Sequence, residues 1–157
     1  MEQQKAIDWL AAAAPDPAAC RREWAATGLA LIPAGRRWDV LLVPRVLGEL
    51  TALTGGPVYR SGDELGFLVP VGTAARWVGT GIRSAGHGTW LAVPHPRSVL
   101  HWRVPPDGSG RLVDPMLLEL VLHEAAAKLH RGGPGAPGGA GGPGGPGRQP
   151  GGQSDDL

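Results

Sequence analysis

The sequence predicts an α+β fold: a small mixed or antiparallel sheet with N-terminal helices and a C-terminal helix packed on it, followed by a disordered Gly/Pro tail. Three observations predict it. Five short apolar runs, at 29–33, 40–44, 67–70, 91–94 and 102–105, each end in proline. Their bulky or β-branched residues, bounded by Gly or Pro, have the pattern of buried strands, and a proline without an N–H marks where each leaves its ladder. Second, Asp16-Pro17 and Asp114-Pro115 each place a capping residue before a proline at a first helical position. Third, the chain opens helix–helix–strand and closes on a helix, an order in which helices cover one face of a sheet.

Taken in order, Ile7, Leu10 and Ala14 share one side of an Ala-rich helix over 2–13, which Pro15 stops. A second helix runs from Asp16-Pro17 to about Ala26 and ends at Gly28. The first strand follows, and Gly35-Arg36-Arg37 turns the chain into the second, from Trp38. Arg45, Leu47, Leu50 and Leu53 have helical spacing up to Gly55-Gly56-Pro57. Val58 to Arg60, the turn Ser61-Gly62-Asp63 and Leu65 to Val69 read as a hairpin. Thr73 to Val78 forms a short helix or turn, and 79–84 a glycine-rich connection. Trp90 to Val93 and Leu100 to Val104 read as a last strand pair around Pro94-His95-Pro96. The closing helix reaches about Arg131, with Met116, Leu120, His123 and Ala127 on one stripe, widened by Leu117, Val121 and Leu129.

The foldable unit is a single domain over 1–131. From 132 to 157 the chain is mostly Gly and Pro, which bury too little surface to offset ordering entropy and should be dispensable for folding. Of the 15 Lys and Arg only Lys5 and Lys128 are lysine, and Ala, Gly and Pro abound, as GC-rich bacterial codon usage would give. The net charge of +1 is not that of a dedicated nucleic-acid binder. Cys20 stands alone, so neither an intrachain disulfide nor a Cys-based zinc site is available. With no leader pattern and no membrane-length apolar run, a cytoplasmic protein without membrane partners is expected.

Motifs of catalysis are sparse. His123 and His130 are seven apart, about 10 Å along a helix axis, too far for one metal ion. Gly79-Thr80-Gly81 lacks the rest of any phosphate loop, and neither Ser61 nor Ser84 stands in a nucleophile elbow. Asp63 and Glu64 are adjacent on a turn and face opposite ways. No catalytic residue, metal site or cofactor is therefore assigned. Arginines beside aromatics recur, in Arg36-Arg37-Trp38, Arg76-Trp77 and His101-Trp102-Arg103. Arg36, Arg37, Arg76, Arg83 and Arg103, with Trp77 and Trp102 for stacking, are the candidate nucleic-acid-binding set. The competing reading is that the tryptophans fill a core with one Phe while the arginines rim it.

The order of elements from Cys20 to about Leu129 resembles the N-terminal domain of bifunctional DNA primase/polymerases, of the archaeo-eukaryotic primase type. The residues that carry the likeness are Gly28-Leu29-Ala30-Leu31-Ile32-Pro33, the Leu47 to Leu53 helix, Gly56-Pro57-Val58 leading to Phe67, and Gly81-Ile82-Arg83 followed by Gly86-His87-Gly88-Thr89-Trp90 and Val93-Pro94. The resemblance implies metal-binding aspartates after the second strand, where this chain has Val43-Pro44-Arg45. It implies a histidine near Glu64 or Leu65 and a third acid near Gly81. Two-metal nucleotidyl transfer needs such carboxylates. The expectation is thus a degenerate primase-polymerase-like domain, a non-catalytic module that binds a nucleotide, weakly a single-stranded nucleic acid, or a protein partner. The alternatives are an active DNA primase/polymerase, which needs an acid triplet that converges in the fold, and a regulatory protein-interaction module unrelated to nucleic acid, which needs an exposed apolar patch.

Overall fold

The computed structural model describes residues 2–132. Residues 133–157, nearly all of the expected tail, lie outside the described residues. The fold is α+β, with antiparallel pairing throughout. Helices α1 (Glu2–Ala11) and α2 (Pro17–Thr27) lead into strand β1 (Leu29–Pro33) and then β2 (Asp39–Pro44). After the short α3 (Arg45–Gly48) come β3 (Val58–Ser61), β4 (Glu64–Val69), α4 (Thr73–Arg76), β5 (Arg83–Ala85), β6 (Trp90–Pro94), β7 (Trp102–Val104) and α5 (Pro115–Gly132). Asp16 caps α2 by accepting from the Ala19 N–H at 3.2 Å, and Gly28 closes the helix at φ 83°, where a side chain would be strained.

The main sheet has the order β5-β2-β4-β3-β7, and β1 pairs with β6 as a second sheet. Strand β2 lies inside the main sheet and alternates between two cores. Val40 and Leu42 join Leu68, Tyr59 and Trp102 against Leu10, Ala14, Cys20 and Trp24 of the N-terminal helical region and Ile32 of β1. Leu41 and Val43 join Val58, Leu65, Phe67 and Val69 against Leu118, Val121 and Leu122 of α5. The helices therefore cover both faces of the sheet, not one as the sequence suggested. Gly66 belongs to this geometry: the Tyr59 ring, paired with it across the ladder, lies where a Cβ would stand.

Other differences have local causes. Trp90 to Val93 and Leu100 to Val104 do not pair with each other. β6 runs beside β1, while β7 runs beside β3. His95 fixes that divergence, since its N–H donates to Gly28 O at 3.1 Å and its carbonyl accepts from Trp102 Nε1 at 2.9 Å. Its ring meets Trp24 edge-on at 5.3 Å, and burial, with Arg97 nearby, holds its pKa below the ordinary value. The 79–84 connection ends in strand β5, whose Arg83-Ser84-Ala85 has no apolar alternation to announce it.

The helix expected over 45–53 stops at Gly48, because the Gly48 carbonyl accepts from Thr51 Oγ1 at 2.7 Å and from Arg103 at 2.9 Å instead of continuing the helix. In α5 the buried stripe is Leu118, Val121, Leu122 and Ala125, while Met116, Leu120 and His123 of the expected stripe are exposed. The helix has apolar residues on two opposite sides, so spacing alone cannot say which is buried. No helix among the described residues is long and apolar enough to cross a membrane.

Asp39, buried at the start of β2, ties α4 to the sheet. Its Oδ2 accepts from the N–H groups of Gly72 and Ala74 at 2.9 and 3.0 Å. Asp39→Ala leaves both donors unpaired and should cost about 1–3 kcal/mol in urea unfolding. Asp39→Asn, which keeps an acceptor, should cost less; equal stability of all three proteins would show that the latch contributes nothing.

Candidate functional site

A cleft of about 500 Å³ opens between α5 and the segment that runs from α4 into β5. Leu47, Ile82, Leu122 and Ala126 give it apolar walls, and Arg76, Thr80, Glu119 and His123 supply the polar groups. Trp77, half-buried, forms part of the wall and packs on the α5 core. The α4 turn holds Arg76 and Trp77 in place: Asp39 anchors its start, and Thr80 Oγ1 donates to Trp77 O at 2.8 Å beyond its end. Glu119 and His123, one turn apart on α5, approach to 4.0 Å. The size lies within the roughly 300–1,000 Å³ of small-molecule pockets, and the mixture of apolar wall and few polar groups is what such pockets use.

Of the seven candidate residues, the cleft brings Arg76 and Trp77 together. The other five are placed elsewhere or engaged. Arg36 and Arg37 are exposed on the β1–β2 turn, next to the start of β2 that anchors α4. Arg83 is held by both Glu64 oxygens at 2.8 and 2.9 Å. Arg103 is the extra residue of a bulge in which Val58 faces Val104 and Tyr59 faces Trp102. The bulge turns its side chain onto the end of α3, where it bonds Gly48 O and Thr51 and comes within 3.9 Å of Glu49. Trp102 is a core residue against Tyr59 at 5.6 Å and offers no free face for a base. For Trp102 and Arg103, then, the core-and-rim reading prevails. Trp90, which the same reading would put in the core, is instead 54% exposed on β6.

The i, i+4 spacing of Glu119 and His123 puts both on one face of α5, but nothing in the sequence announces that Leu47, Thr80 and Ile82 face them. A second polar group also went unseen. Glu49 accepts from Arg60 at 3.1 Å and Arg45 at 3.5 Å, beside the Arg103 fork.

Of the positions that the primase-polymerase resemblance singles out, Pro44 after the second strand and Glu64 at the histidine position meet across β2 and β4, whereas Gly81, at the third acid's position, lies outside the sheet. Pro44 pairs with Glu64, and Leu42 with Arg83, at the C-terminal end of β2. An arginine–glutamate ion pair stands there, with Arg45 alongside, its N–H donating to Asp63 O. Asp39 is at the opposite end of the same strand, about 17 Å away at roughly 3.4 Å per residue. Among the described residues no three His, Cys, Asp or Glu side chains gather as a metal-binding group. Cys20 is buried, and burial with Glu23 pushes its thiol up to about 11, which makes it a poor nucleophile. No family model matches this chain, nor does any curated protein or solved structure.

The two hydrogen bonds from Arg83 hold the Glu64 carboxyl below its ordinary pKa. A depressed carboxylate stabilises the fold above its unfolded pKa and loses that contribution as pH falls through the folded value. With Arg83 69% exposed the stabilisation is small, so titration rather than melting is the readout. Arg83→Ala should raise the Glu64 pKa, followed by side-chain NMR; an unmoved titration would show that the pair is not formed in solution.

Proposed function

We propose that this domain is a non-catalytic binding module, primase-polymerase-like in order, that receives a nucleotide or the end of a single strand in the α4–α5 cleft. The observation that carries the proposal is Arg76 beside Trp77 at an opening of ligand size. An indole face stacks on any base, and a guanidinium offers a fork to phosphate. Glu119, His123 and Thr80 can hydrogen-bond a base edge or a ribose. Arg36 and Arg37, exposed on the β1–β2 turn, would add positive charge for a strand long enough to reach them.

Binding without transfer is favoured because the carboxylates are dispersed. Glu64 is engaged by Arg83, and Asp39 by the α4 backbone at the other end of β2. Two-metal transfer requires acids on one locus. A primer-synthesis assay with Mg²⁺ or Mn²⁺ that gave product would reverse this part of the proposal.

The binding test is fluorescence anisotropy with a labelled single-stranded oligonucleotide and with a labelled nucleoside triphosphate. Few phosphate contacts are available, so affinity should be weak and fall steeply between low and physiological salt. Trp77→Leu keeps the apolar wall and removes the ring, and should weaken binding about fivefold to a hundredfold. Arg76→Ala should reduce both affinity and salt dependence. Thermal melting of each variant separates these effects from unfolding. No binding at low salt, or affinity unchanged by both substitutions, removes nucleic acid and nucleotide as ligands of this cleft.

A further inference from the structure

Three arginines converge on one carboxylate at the end of α3, against strands β3 and β7. Glu49 Oε2 accepts from Arg60 Nε at 3.1 Å and from Arg45 Nη2 at 3.5 Å, and Arg103 Nε stands 3.9 Å from Oε1. Among the described residues no other acid lies within ion-pair distance of any of the three. Like charges held this close repel one another, and a single carboxylate offsets one of them. Two of the three positive charges are left unmatched.

The three do not play the same part. Arg103 is structural: its side chain is 15% exposed, and its donors go to Gly48 O, Thr51 Oγ1 and Thr51 O. Those acceptors are neutral, so the guanidinium is fixed in place without its charge being cancelled. Its burial strengthens the field that it projects. Arg45 and Arg60 are the arms, with side chains 46% and 27% exposed. The backbone N–H of Arg45 is held by Asp63 O, and that of Arg60 by His101 O at 2.8 Å. Both guanidinium groups reach the same oxygen of Glu49 and so lie side by side. Among the described residues nothing accepts from either Nη of Arg60.

We propose that Arg45 and Arg60 form an anion site that takes a phosphate group, free or as the monoester of a small molecule, with Arg103 as the fixed charge behind it. A guanidinium presents its donors in a plane that matches two phosphate oxygens, and two such groups side by side clasp one tetrahedral dianion. A dianion also supplies the charge that Glu49 leaves unmatched. Glu49 spaces the arms and, being negative, limits the affinity. None of the four side chains lines the α4–α5 cleft, so the proposal does not rest on ligand binding there.

The test is a titration of the ¹⁵N-labelled full chain with sodium phosphate, read at the arginine Nε–H signals and compared with sodium chloride at equal ionic strength. Saturable shifts at Arg45 and Arg60 are expected with phosphate and not with chloride, at the roughly millimolar concentrations of a solvent-facing site with few contacts. Arg45→Gln with Arg60→Gln should weaken binding at least about tenfold. Glu49→Gln should tighten it about threefold or more, because a competing charge goes while an acceptor stays. An ion-pair network without a ligand has nothing to tighten. The amide spectrum of each variant reports the retained fold. Glycerol phosphate beside inorganic phosphate tells ester from free ion, and tighter binding of either supports the site. Shifts that do not saturate, or that chloride reproduces, overturn the proposal. So does a phosphate affinity that Arg45→Gln with Arg60→Gln leaves unchanged, or that Glu49→Gln fails to raise.

Discussion

Strand β2 buries both of its faces, and the rest of the described fold is arranged around that fact. Val40 and Leu42 are sealed on one side by the N-terminal helices and the β1–β6 pair; Leu41 and Val43 are sealed on the other by α5. An interior strand of this kind has no middle position at which a charged group can meet solvent. Its polar neighbours are driven to its two ends. At one end the Asp39 carboxylate is used to hold α4, and at the other Glu64 is neutralised by Arg83. The arrangement that makes the sheet stable therefore also separates the acids, and it leaves the α4–α5 cleft to the segments that the sheet positions.

Those segments are α4 and α5. The Asp39 latch fixes the α4 turn, the turn presents Arg76 and Trp77, and α5 brings Glu119 and His123 opposite them. Each step depends on the one before it, since α4 is four residues long and has no capping side chain of its own. The cleft thus owes its shape to a buried carboxylate outside it. The opposite side of α5 remains apolar and exposed, and a single helix both closes the core and forms one wall of the cleft.

Much of the fold was legible because proline and glycine mark its joints. Pro33, Pro44 and Pro94 end strands, Asp16-Pro17 opens α2, and Ser61-Gly62-Asp63 turns the β3–β4 hairpin. What was not legible was long-range. Nothing local says that β6 seeks β1 rather than β7, or that α5 buries Leu118 rather than Leu120. Arg103 carries a bulge that only the pairing of Val58 with Val104 and Tyr59 with Trp102 creates. For the same reason an arginine–tryptophan neighbour pair was ambiguous: Arg76-Trp77 lines an opening, whereas Trp102-Arg103 is spent on the core and on α3.

The proposed entry of ligand between α4 and α5 is tested most directly by a chemical-shift map of the ¹⁵N-labelled protein. On titration with a short single-stranded oligonucleotide, the indole N–H of Trp77 and the amides of Thr80, Ile82 and His123 should shift together and saturate at one concentration. The indole of Trp102, whose N–H is given to His95 O within the core, should stay in place. Shifts that gather instead around Trp90 and the β1–β6 sheet, with the Trp77 indole unmoved, would contradict the account.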